Sequence, residues 1–204
     1  MSVPTEPSVY GEIVSLARVR KSALEVLQTW VPAYLAEVER QDSLPQGSLP
    51  QPRSWSMPPD VLALPGNLTP TVMVAPPVVD NVERLGKGEQ RATIRLTIGA
   101  VIAAGPDLDE TGMVLARYLT ALLALVGQQR IEVSDRLAEP MSVESSLVQT
   151  ERGAGLGMGS VNVGVSVPSM FTARGGPSEP PSNVYAEPDD HPVVEETAIE
   201  IERG

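Results

Sequence analysis

The sequence predicts an α/β fold of the α+β kind: a small, mostly antiparallel sheet packed with two long helices and followed by an extended C-terminal tail. Three observations predict it. In residues 92–104 the even positions (Ala92, Ile94, Leu96, Ile98, Ala100, Ile102, Ala104) are apolar, while Arg91, Thr93, Arg95 and Thr97 are polar. That period of two marks a strand with one buried and one wet face. Segments 8–41 and 108–126 instead carry apolar residues at helical spacing. Prolines crowd into 42–70 and again beyond 168, where neither a helix nor a central strand survives them.

The 204 residues suffice for one domain with appendages. We place the domain at 1–168, with a proline-rich loop at 42–70, and an acidic, proline-rich arm at 169–204. With 42% hydrophobic residues but 3% aromatic ones, and a single phenylalanine, Phe171, the core must be aliphatic. The absence of cysteine excludes disulfides, thiolate metal sites and cysteine nucleophiles. A formal net charge of -11 argues against wrapping duplex DNA, whose phosphates need a basic surface. It is compatible with an acidic wall along which DNA slides. No stretch approaches the ~20 uninterrupted apolar residues of a membrane span, and 1–12 lacks the pattern of a signal peptide.

The elements follow in order. In 8–41, Ile13, Leu16, Leu27, Val31 and Val38 recur at helical spacing, and Pro32 should kink or divide the helix near Trp30. Arg18, Arg20 and Lys21 read as a solvated face. Loop 42–70 is long and carries Leu49, Trp55, Met57 and Leu62, more apolar residues than a disordered linker holds. It reads as an extended segment laid over its own domain or a neighbour, with Trp55 and Met57 as anchors for one or the other. Residues 71–79 read as a strand ended by Pro76-Pro77, at an edge or a bend. The turn signal Gly86-Lys87-Gly88-Glu89 then implies a hairpin with Arg84 and Lys87 near its tip.

Gly105-Pro106 stops the central strand. Asp107, three residues before Glu110, opens a helix as a capping box, and Gly127 closes it. Leu108, Leu115, Leu119, Leu122 and Val126 make one apolar stripe, yet the opposite face, with Val114, Ala121 and Leu125, is greasy too. Either the helix is buried in its own domain or its second face meets a neighbouring subunit. Residues 142–150 alternate weakly, as a strand. Gly153, Gly155, Gly157 and Gly159 lack the dinucleotide-binding spacing and read as a flexible approach or a bulge before a strand with Val161, Val163, Val165 and Val167 on one face. In the arm, Thr197, Ile199 and Ile201 alternate, a pattern suited to adding a strand to a neighbour's sheet.

No catalytic constellation emerges. The single histidine, His191, lies in the arm, and no metalloprotease, serine-hydrolase or phosphate-loop motif is present. The expectation is a protein that is not an enzyme and has no cofactor or metal.

The segments LQTWVPAYLAEVERQ (27–41), LPQPRSW (49–55) and PTVMV (70–74), with the 91–104 strand, resemble the tail terminator proteins of long-tailed phages, especially those of actinobacterial phages. The resemblance covers roughly residues 9–167; the acidic arm departs from the compact members. It implies a homo-oligomeric, six-membered ring that caps the tail tube, ends its elongation and joins it to the head. The partners would be the major tail tube protein and the head-tail connector (stopper) protein. DNA would pass through the lumen without specific binding, and no membrane is involved. The location would be the tail or neck of the virion, with the host cytoplasm during assembly. The alternative is a head-completion (stopper) component of the same neck; a carboxylate enzyme and a cellular adaptor are readings of other classes. The candidate subunit or partner contacts are Trp55, Met57, Val114, Ala121, Leu125, Ile199 and Ile201.

Overall fold

The computed structural model describes residues 10–58, 69–86, 89–105, 107–149 and 155–173. In chain order the elements are β1 (Tyr10–Ile13), α1 (Leu16–Gln41), β2 (Ser54–Ser56), β3 (Thr71–Val74), β4 (Val78–Gly86), β5 (Glu89–Gly105), α2 (Leu108–Gln128), β6 (Glu139–Gln149) and β7 (Gly155–Ala173). The α/β class and the mostly antiparallel sheet expected from the sequence are both present.

The antiparallel pair β5–β7 is the spine, in register from Ala92 opposite Val167 to Ile102 opposite Gly157. β3 and β4 share the other edge of β5, and β6 and β1 share the other edge of β7. β2 adds in parallel beyond β3, completing seven strands. Pro76-Pro77 accounts for the split between β3 and β4. The Ala75 N–H still donates to the Thr97 carbonyl at 2.9 Å. Two residues without donors then break the ladder, and it resumes at Val78 opposite Arg95. The expected hairpin is therefore present, and the proline pair separates β3, which ends at Val74, from β4, which takes up the same edge of β5 at Val78.

The two faces of the sheet differ as the alternation requires. Ile94, Leu96, Ile98 and Ile102 of β5 and Val161, Val163, Val165 and Val167 of β7 are 0–1% exposed. They lie under α2, which packs on β5, β6 and β7, while α1 packs on α2 and β3. The other face carries a polar ladder across three strands: Thr97 Oγ1 donates to Asn162 Oδ1 at 2.6 Å, and Asn162 Nδ2 to Ser142 Oγ at 2.9 Å.

Three local expectations are corrected. First, α1 starts at Leu16, not residue 8: Ser15 caps it by accepting from the Arg18 N–H at 3.1 Å, and Tyr10 and Ile13 pair with β7 instead. Second, Pro32 does not divide α1. Both Pro32 and Gln28, whose carbonyl loses its helical partner, lie on the exposed face, so the lost hydrogen bond leaves no buried acceptor unpaired. Third, Gly155, Gly157 and Gly159 are not a flexible approach but β7 residues in regular register with β6; the expected irregularity is present on the β5 side, where the register shifts between Ile102–Gly157 and Gly105–Gly155, and Gly153 lies outside the described residues. A Cβ on Gly159 would stand 2.7 Å from Leu119 Cδ1, and one on Gly157 3.2 Å from Leu115 Cδ2. Their hydrogens let α2 sit low on the sheet.

α2 opens on Asp107, whose carboxylate accepts from the Asp109 N–H at 2.8 Å. It runs one residue past Gly127, which occupies the last turn rather than a cap. It is 21 residues long, with a mean hydropathy of 1.3 over an 18-residue window, and by length and composition alone could cross a membrane. Nine of its residues are buried in this domain, which is where that greasiness goes.

Candidate functional site

β6 is the outermost strand on its side of the sheet, and all eleven of its residues are exposed. It nevertheless carries Met141, Val143, Leu147 and Val148 at 43–55% exposure. Val143 pairs with Val161 and Leu147 with Gly157, so both point to the helix side, while Ser142 and Glu144 point to the open side. Between this strand and α2 runs an apolar groove of about 260 Å³, lined by Leu119, Thr120 and Leu123 from the helix and Val143 and Leu147 from the strand. Leu147 reaches across to α2: a Cβ on Gly112 would stand 3.1 Å from its Cδ1. An eleven-residue strand edge with no partner among the described residues, beside an apolar groove, is a surface that proteins ordinarily cover.

The opposite end of the same sheet is β2. Among the described residues it pairs only with β3, and Met57 just beyond it is 44% exposed. The segment is held from behind by Arg20, which donates to the carbonyls of Val74 (2.8 Å from Nε) and Pro58. That puts one member of the basic cluster to structural use. Trp55 is half-buried and packs against its own core. Residues 51–58 carry one cation, Arg53, and no acid, whereas 139–149 carry Glu139 and Glu144 and no cation.

The residues nominated from sequence therefore divide. Met57 is available for contact. Trp55 is largely spent on its own domain. Val114, Ala121 and Leu125 are 9%, 0% and 1% exposed, which corrects their reading as a free second face. α1 and the sheet together enclose that side of α2, and Arg117, its one mid-helix charge, is tied to Asp42 at the end of α1 (2.7 Å). Ile199, Ile201 and His191 lie outside the described residues. The β6 residues Val143 and Leu147 went unnominated, although large apolar residues in a weakly alternating strand after a core helix were the signal for them.

A second shallow concavity of about 350 Å³ lies on the open face, between Met73, Val101, Met158 and Glu144. Among the described residues no three His, Cys, Asp or Glu come together to hold a metal ion. What both hollows offer is apolar contact. Tyr118, the largest fully buried side chain, donates to the Pro50 carbonyl, and burial pushes its phenol well above the usual range. It anchors the loop to α2 as a neutral group.

No protein-family model matches the sequence, and no curated protein matches it at a significant level.

Proposed function

We propose that this chain is a structural virion protein of the phage neck, a tail terminator whose ring caps the tail tube, stops its growth and presents a surface to the head connector. It works by assembly rather than by catalysis and needs no cofactor. The observation that carries the reading is a single sheet with two unlike ends that no described residue pairs further: the β6 edge with its apolar groove, and the β2 edge with exposed Met57. Closed rings need two different, complementary patches on each subunit. One self-complementary patch would stop at a dimer. The net charge of -11 supports a conduit that duplex DNA passes without sticking.

Electron microscopy of particles assembled without the protein tests this. Overlong, headless tubes beside DNA-filled heads are the expected result. Tails of normal length that fail to join heads would move the protein to the head-completion role. Normal infectious particles would overturn the neck assignment altogether.

A further inference from the structure

We infer that the edge of β2 in one copy adds as a strand to the edge of β6 in the next, seating Met57 in the groove between α2 and β6. This rests on the ring reading above and specifies the contact that closes the ring.

The register carries the inference. Ser56, Met73, Gly99, Ser160 and Glu144 lie in one row across five strands, and Trp55, Val72, Ala100, Gly159 and Ser145 in the next. The two end strands are therefore level. A second copy displaced along these rows brings its Trp55 opposite Ser145 and its Met57 opposite Val143, with no slip along the strand. β4, the other edge strand on the β2 side of the sheet, fails this requirement. It pairs with residues 89–95 of β5, whereas β6 stands level with residues 95–105.

Strand direction agrees as well. β2 is parallel to β3, and β3–β5, β5–β7 and β7–β6 are each antiparallel, so β2 and β6 run oppositely. Rotation about an axis along the strands preserves direction, so the new contact is an ordinary antiparallel ladder. The faces match too. Trp55 shares its row with Ala100 and Gly159 on the helix side, and Met57, two residues on, continues that side. There it meets Leu119, Leu123, Val143 and Leu147, and a flexible thioether suits an irregular apolar gap. At ~4.8 Å per strand, five strands give about 24 Å per copy, and six copies a ring about 45 Å across at the sheet.

The chain has no cysteine, so engineered ones report without background. The full-length Met57→Cys/Val143→Cys variant, treated with a short bis-maleimide, should give a covalent ladder ending at the ring size. Each single-cysteine variant should give no species beyond a dimer. Leu147→Lys changes an exposed side chain, so it should keep the native circular dichroism spectrum while weakening association at least tenfold in native mass spectrometry. Rings that form without the ladder and tolerate Leu147→Lys would overturn the β2–β6 contact and leave the ring reading standing. Efficient dimer formation by Val143→Cys alone, with no ladder from the double variant, would replace the contact with a symmetric β6–β6 pair. A chain that stays monomeric at every concentration would overturn both the contact and the ring.

Discussion

Glu39 shows how one side chain shapes the start of the proline-rich loop. It is 3% exposed, and its carboxylate accepts from the backbone N–H of Leu49 at 2.6 Å and of Gly47 at 2.9 Å. Those bonds, with the Leu49 one foremost, hold its carboxyl below the usual carboxylate range. Gly47 has φ +80°, which a residue with a Cβ rarely adopts, so both partners of the clasp are constrained. Glu39→Ala leaves buried donors unpaired and should cost about 2 kcal/mol in urea unfolding at neutral pH. Because the folded pKa is depressed, the wild-type contribution is complete above the unfolded value of about 4.3 and is lost as pH falls through the folded value. The gap between wild type and Glu39→Ala should therefore narrow on acidification below pH ~4; a constant gap would remove the carboxylate from the account. Ser43, at φ 55°, sits where helices usually place glycine after the C-cap. Ser43→Gly should stabilise by about 0.5 kcal/mol, the relief of a left-handed Cβ less the greater freedom of unfolded glycine.

Glycine has opposite meanings in β7 and in the helix α2 that packs on it. In β7, a methyl at Gly159 would meet both Leu119 side-chain carbons at 2.7 and 3.0 Å and the Glu144 carbonyl at 3.1 Å. Gly159→Ala should lower stability by about 1–3 kcal/mol, because the strand carbonyl cannot move aside as a leucine tip can. In α2, nothing lies within 4 Å of a Cβ at Gly127, so Gly127→Ala should raise stability by about 0.5–1 kcal/mol. Thermal unfolding of the pair checks both signs. The contrast also explains what could be read beforehand. β5 and the apolar stripe of α2 were legible because one chain's periodicity reports its own buried face. The Gly155–Gly159 spacing was not, since its meaning lies in how closely a helix approaches from elsewhere in the sequence. For the same reason Val114 and Ala121 looked like surplus apolar surface: no local pattern says that α1 returns to cover them. Val143 and Leu147 were missed from the other direction, because edge position depends on strand order rather than on composition.

For the whole molecule, charge and apolar contact oppose one another. Each chain carries a formal -11, so bringing copies together sets like charges against each other. The groove residues that would take up the contact, Leu119, Leu123, Val143 and Leu147, are uncharged, and burying them is little affected by salt. Screening therefore acts mainly on the repulsion. The Debye length falls from about 30 Å at 0.01 M salt to about 8 Å at 0.15 M. Association of the full-length protein, followed by native mass spectrometry or sedimentation across that range, should strengthen several-fold as salt rises. Binding to duplex DNA should stay undetectable throughout. Weakening of association with salt would mean that attraction between charged groups dominates the contact, and Met57→Lys would then do little harm. Strengthening, together with loss of association in Met57→Lys, would assign the contact to apolar burial working against a net repulsion that also keeps free subunits apart at low concentration.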